Sequence, residues 1–318
     1  MSKRRVEQPG GNSSSSSSNS VGGLLTTSPI LLVLLAALLW STGGLFIKAT
    51  SLSAYELSFY RSLLAALTVA FFTRHEGFRL NTVSLLASLL YAALLLLFVV
   101  ATKLTTAANA IFLQYTAPIY VLLLEPLFYR ERFRLDDLVT VTICLAGMSL
   151  FFVGKLRPED VAGNLAALAS GLCFAFYFLL LRHPRAQDVN RASSVIYGNL
   201  LVVLITAQVG LAALPRISAT DAGSVVFLGV FQIGVAYTFF TLGMARGVRS
   251  LDAGIAGYIE PVLNPVWVFL VLGERPSAWA LVGGCIIIAA VFTHTVRGAR
   301  SRARQRALIQ PSALTDSD

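Results

Sequence analysis

Ten stretches of this chain are almost wholly apolar, and short polar linkers separate them: 29–49, 55–73, 81–101, 106–128, 135–154, 162–181, 193–213, 222–244, 251–272 and 277–296. A helix needs about 20 apolar residues to cross the hydrocarbon core of a bilayer, and each stretch comes near that length. The pattern predicts an all-α polytopic membrane protein with ten transmembrane helices. Two spans are interrupted. Arg61 sits inside the second, and Asp136 with Asp137 trims the fifth. The linkers are short, so neighbouring helices are expected to pack antiparallel.

Composition agrees. Of 318 residues, 56% are hydrophobic and 13% charged, where soluble domains carry about 25% charged. The mean hydropathy is +0.72. Cys144, Cys173 and Cys285 all fall within spans, so they read as small buried apolar residues rather than a disulfide frame or metal cluster. The net charge of +9 raises nucleic acid as a partner. The basic residues, however, lie in loops and tails between apolar runs, which points to the lipid bilayer and to no nucleic acid. Residues 1–28 are polar, with serines from Ser13 to Ser18, and are expected to form a disordered tail. Lys3, Arg4 and Arg5 resemble the start of a signal peptide, but the serine-rich spacer and the length of the first span argue against cleavage. Residues 297–318 form a basic tail, whose arginines either orient the last helix or bind anionic lipid.

The basic residues also orient the bundle. With the N-terminus inside, the cytoplasmic side holds Lys3, Arg4, Arg5, Arg74, Arg79, Arg130, Arg132, Arg134, Arg182, Arg185, Arg191, Arg246, Arg249, Arg297, Arg300, Arg302, Arg304 and Arg306, which makes 18. The outside holds Lys48, Lys103, Lys155, Arg157, Arg216 and Arg275, which makes 6. Both termini are therefore expected in the cytoplasm.

A pattern occurs twice, 143 residues apart. Laid together without a gap, Ala110 meets Ala253, Tyr115 meets Tyr258 and Pro118 meets Pro261, while Glu131-Arg132 meets Glu274-Arg275. The chain thus divides into two five-helix repeats, 29–154 and 155–296. Five is odd, so the second repeat enters from the opposite side and the pair is inverted. Inverted repeats supply two related conformations, one open to each face.

Further residues carry a family likeness. They are Trp40-Ser41-Thr42-Gly43 and Lys48 in span one, and Glu56 with Tyr60-Arg61 in span two. Span four adds Pro118 and Glu131; span nine adds Pro261, Pro265 and Gly273-Glu274. In these features the chain resembles the drug/metabolite transporter (DMT) superfamily, in its EamA-type, ten-helix form, over roughly residues 29–296. The resemblance implies a secondary carrier of small organic solutes, often an exporter of amino acids or other metabolites. Glu125-Pro126 departs from the repeat, since its partner is Val268-Phe269.

Charge at membrane depth is costly, roughly 2.5–3.5 kcal/mol for Arg or Asp at a span centre. Such groups must face the bundle interior or a wet cavity. Arg61 lies about 10 Å from the outer end of its span, at 1.5 Å per residue. It either binds an anionic group of the solute, pairs with Glu56, or snorkels outward. Glu260 lies near the centre of span nine; it is a candidate proton-coupling site, because protonation removes the cost of burying its charge, or else a helix-packing hydrogen bonder. Glu125, nearer the cytoplasmic end, has the weaker case. Pro118, Pro261 and Pro265 each remove a backbone donor, which suits a gate or a static kink. The candidate substrate-binding set is Arg61, Tyr197, Asn199, Gln232, Asn264, Tyr115, Tyr258 and Trp40, each of which has packing as its bland alternative. Gly163, Ala167 and Gly171 recur every four residues and permit close helix approach, within the bundle or between subunits.

No phosphate-binding loop occurs, and His75, His183 and His294 are scattered at span ends. No cofactor or metal is implied. The expected role is a secondary active transporter in a bacterial plasma membrane, acting on a small-molecule solute and coupled to protons. A polytopic membrane enzyme and a receptor or scaffold are the alternatives.

Overall fold

The computed structural model describes residues 28–105, 107–130, 134–151, 153, 159–273 and 277–309. The N-terminal tail to 27, Glu131-Arg132, Glu274-Arg275, the boundary at 154/155 and the last nine residues lie outside the described residues. Helices form everything but short connections: α1 Pro29–Trp40, α2 Gly43–Ala49, α3 Ala54–Thr73, α4 Thr82–Leu104, α5 Ala107–Gln114, α6 Ala117–Tyr129, α7 Leu135–Phe151, α8 Val161–Leu181, α9 Ser193–Ala213, α10 Ala219–Val226, a π-helical stretch Phe227–Val235, α11 Ala236–Ala245, α12 Ser250–Gly257, α13 Ile259–Leu272 and α14 Ala278–Ile309. No strand occurs among the described residues.

Eight rods are long and apolar enough to cross a membrane. The other two expected spans form helices as well. They are α3, which carries Glu56 and Arg61, and the 17-residue α7. These are the two spans that charge interrupts in the sequence. Leu67, Phe71, Leu127, Leu204 and Phe292 are exposed, as a lipid-facing surface requires. The chain is a multi-pass membrane protein.

Local chemistry sets the ends of the rods. Ser53 and Glu56 form a reciprocal capping box at α3, as do Asn81 with Ser84 at α4 and Ser218 with Asp221 at α10. Asp221 does more. Its carboxylate accepts from Thr50 at 2.7 Å, from the Ser51 amide at 2.8 Å and from the Ser218 hydroxyl at 2.6 Å, tying the α2–α3 loop to α10. The repeat is visible in these ends. α6 stops at Arg130 with φ 52°, and α13 stops at Gly273 with φ 72°, positions again 143 apart.

Elements of the two halves interleave. α4 packs along α8 and α9, α3 along α9 and the π stretch, and α1 along α11. α7 lies against α14. Glycine makes the tightest of these contacts possible. A Cβ on Gly171 of α8 would stand 2.7 Å from the Gln114 carbonyl oxygen, so the small-residue stripe serves contact inside the bundle. A Cβ on Gly229 in the π stretch would stand 2.8 Å from the Arg61 carbonyl oxygen. The cysteines are free; Cys144 is buried as expected, Cys173 is half-buried, and Cys285 is exposed, which corrects its reading as a buried residue.

Candidate functional site

Three spans are interrupted within their length. Span one turns at Ser41 and Thr42, whose hydroxyls donate back to the Leu38 and Leu39 carbonyls at 2.6 Å each. Span four breaks at Tyr115 and Thr116, and span nine at Tyr258, its counterpart. Pro118 sits in the first turn of α6, where its missing N–H costs nothing. Pro261 is the third residue of α13, and Pro265 lies further along the same helix. A break leaves backbone carbonyls without helical partners. Here the Tyr258 hydroxyl donates to the Tyr115 carbonyl at 3.2 Å, and the two rings lie 5.6 Å apart. The Tyr115 hydroxyl in turn donates to Glu260 at 2.5 Å.

Beside these breaks lies a cavity of about 40 Å³. Its polar lining is Trp40, Arg61, Gln114, Gln232, Tyr237 and Glu260, and Leu94, Leu95, Phe98, Phe174 and Ile233 complete the wall. Trp40 lies tilted against Tyr237 at 4.8 Å and meets Phe174 edge-on at 6.0 Å. Arg61 is 2% exposed, so it does not snorkel. Nor does it pair with Glu56, which accepts from the Ser53 amide at 2.8 Å and pairs with Arg216. Among the described residues the only hydrogen bond from Arg61 runs from Nη2 to the Leu95 carbonyl, at 3.3 Å. Three buried polar atoms on this cavity's lining residues have no hydrogen-bond partner: Trp40 Nε1, Arg61 Nε and Gln232 Oε1. Buried polar atoms are almost always satisfied, so these three leave hydrogen-bonding capacity on the lining of one cavity.

The cavity therefore gathers Trp40, Arg61, Gln232 and Glu260 from the expected set. Tyr115 stands next to it and lines a smaller adjoining space with Pro118. Tyr258 is buried behind Tyr115. The others go elsewhere. Tyr197 donates to the Phe78 carbonyl, 2.5 Å away in the α3–α4 connection. Asn199 is fully buried behind the cavity and bonds the Val195 carbonyl at 2.8 Å and the Tyr91 hydroxyl at 3.3 Å. Asn264 packs its amide against Gly44. Gln114 and Tyr237 are lining residues that the span pattern did not separate from other intramembrane polar residues, because depth alone does not say which side of a helix faces inward.

A single family model matches the chain twice, over residues 27–153 and again over 161–295; its description is the EamA-like transporter family. The chain belongs to that family. It is a membrane transporter. An uncharacterized transporter of Archaeoglobus fulgidus is 25% identical over 282 residues, covering 82% of this chain and 94% of its own. The aromatic amino acid exporter of Ancylobacter novellus is 30% identical over 214 residues, covering 62% of this chain and 70% of its own. A solved crystal structure superimposes with a TM-score of 0.74 at 22% identity, covering 86% of this chain and 98% of that one, which supports the fold.

This EamA-type chain carries a second polar centre, at the face where α1 begins. Arg249 bonds Asp137 at 2.6 Å and lies 3.4 Å from Asp252 and 3.7 Å from Glu125. Arg182 bonds Glu125 at 2.6 Å, and His294 meets Asp252 at 2.9 Å and Asp137 at 3.9 Å. Burial opposes the Arg249 charge, but Asp252, Asp137 and Glu125 outweigh it and raise its pKa above the ordinary value. A polar cavity of about 300 Å³ adjoins the cluster. Only Glu125 hinted at this centre in the sequence, as a carboxylate with no counterpart in the second repeat.

Proposed function

We propose that the chain is a ten-span secondary transporter that exports amino acids or closely related small organic solutes by alternating access. The observation that carries this reading is Arg61. A guanidinium with no carboxylate partner among the described residues lines a cavity between the two halves, where Trp40 and Gln232 also present unsatisfied atoms. A solute carboxylate supplies what Arg61 lacks, through charge-assisted hydrogen bonds. The aromatic wall of Trp40, Phe174 and Tyr237 suits an apolar side chain. The name of the relative from Ancylobacter novellus favours the same solute class and direction.

About 40 Å³ holds only a water or a few, so solute entry requires the cavity to expand. The two five-helix repeats, inverted in the membrane, rock about the paired breaks at Tyr115 and Tyr258. Glu260, on the opposite repeat from Arg61, takes up and releases the coupling proton. The membrane is read as a bacterial plasma membrane, and the 18 to 6 distribution of basic residues supports both termini in the cytoplasm. The face bearing Arg249 is then cytoplasmic. Family membership weighs against a membrane enzyme.

Purified protein in proteoliposomes tests the proposal. Labelled amino acids should cross faster than in protein-free vesicles and accumulate when a proton gradient is imposed. Product formation in detergent without vectorial flux would instead favour the enzyme. Flux insensitive to the gradient would remove the proton from the mechanism.

A further inference from the structure

The charged cluster at the face where α1 begins joins elements of both halves. Glu125 lies on α6 and Asp137 on α7, whereas Arg182, Arg249, Asp252 and His294 come after the midpoint of the chain. Any motion that parts the halves at this face must separate these groups. Glu125 stands eight residues beyond Ala117, or about 12 Å along α6 at 1.5 Å per residue, so the cluster lies between the central cavity and the face.

We propose that this cluster is a latch that shuts one face of the transporter, with Arg249 as its keystone. The proposal rests on the alternating-access reading. Arg249 reaches three carboxylates on three helices within 3.7 Å. Without it, Glu125, Asp137 and Asp252 lose the cation that they share, and like charges in a partly buried site repel. The cluster is also incompletely satisfied. Asp137 Oδ1 and Arg249 Nε are buried without hydrogen-bond partners, so charge rather than a saturated network holds it, which suits a contact made and broken in each cycle.

The latch is one-sided. Counting 143 residues to the repeat partners, Glu125 corresponds to Val268, Asp137 to Ala280, Asp252 to Asn109 and His294 to Phe151. Each of these four is matched by a neutral residue, so the set is not repeated at the partner positions. The opposite face carries a different contact between the halves, the Glu56–Arg216 pair.

Thiol accessibility tests this without knowledge of the solute. The reporter is Ala117→Cys in a background of Cys144→Ala, Cys173→Ala and Cys285→Ala. A membrane-impermeant maleimide is applied to inside-out and right-side-out vesicles. Adding Arg249→Ala should raise the labelling rate at least tenfold in one vesicle orientation only. Asp252→Asn, which removes one partner and is gentler on folding, should raise it about two- to fivefold in the same orientation. An unchanged rate in both variants, or an equal rise from both sides, would overturn the latch. The side that shows the rise reports independently which face is cytoplasmic. Loss of solute flux in proteoliposomes bears on the transport reading, not on this access measurement.

Discussion

Replacing Arg61 separates a solute contact from a structural one. Arg61→Met removes the charge and fork while keeping an apolar stem of similar reach. At 2% exposure the guanidinium is shielded from water, so its interactions are not screened away. A hydrogen bond to a charged group contributes roughly 1.5–3 kcal/mol. At 1.4 kcal/mol per tenfold, loss of one such bond to a solute carboxylate raises the half-saturation concentration by about 10- to 150-fold. The variant also removes the Nη2 bond to the Leu95 carbonyl, at 3.3 Å, while that carbonyl keeps its helical partner within α4. That loss lowers stability by roughly 0.5–1.5 kcal/mol whatever the solute. The two effects part in a double cycle. Binding of an amino acid and of its decarboxylated amine is measured by isothermal titration in detergent, for the wild type and for Arg61→Met. The wild type should favour the amino acid, and the variant should lose that preference while its affinity for the amine changes little. An equal loss for both ligands would refute the carboxylate contact and reduce Arg61 to a packing residue.

Three further outcomes rest on the same geometry. Glu260→Gln keeps a partner for the Tyr115 hydroxyl, 2.5 Å from the carboxylate, but cannot take a proton; accumulation driven by a proton gradient should fall to the equilibrium level while solute exchange continues, as measured in proteoliposomes. Gly171→Ala drives a Cβ to 2.7 Å from the Gln114 carbonyl oxygen, and overpacking of this kind costs about 1–3 kcal/mol, which should lower the thermal unfolding midpoint in detergent by a few degrees. Asp221→Ala deletes the acceptor shared by Thr50, Ser51 and Ser218, so limited proteolysis should cut the α2–α3 loop faster than in the wild type, with little change in the solute affinity of the protein that remains folded.

Span positions were legible in the sequence because apolar length is a direct physical requirement of the bilayer. The two weakest spans, 55–73 and 135–154, are weak for the reason that makes them interesting: α3 carries the buried Arg61, and α7 opens with Asp136 and the latch carboxylate Asp137. The repeat was legible too, in the Tyr115–Tyr258 and Pro118–Pro261 pairs, and the helix ends at Arg130 and Gly273 follow the same spacing. What the sequence withheld was azimuth. Tyr197 and Gln232 are both polar and both well inside spans, yet one caps a loop carbonyl and the other faces the cavity. Hydropathy reports depth, while facing direction comes from packing partners far away in sequence. Arg249 illustrates the same limit. As one of many basic residues near span ends it helped to orient the bundle, and two of its three carboxylates, Glu125 and Asp137, come from distant points of the chain.

The π-helical stretch Phe227–Val235 gives this transporter a means of change that substitution does not. Its wide turns carry Gln232 to the cavity and set the rotation of Tyr237 beyond it. Each residue of an α-helix advances about 100° around the axis, so one deletion within the stretch swings the remainder of the span by about that angle. The amide and the phenol would then no longer share a wall. For a lineage exposed to a new solute, the length of this short segment is a variable distinct from the identity of any side chain, and a single codon lost or gained is enough to move it.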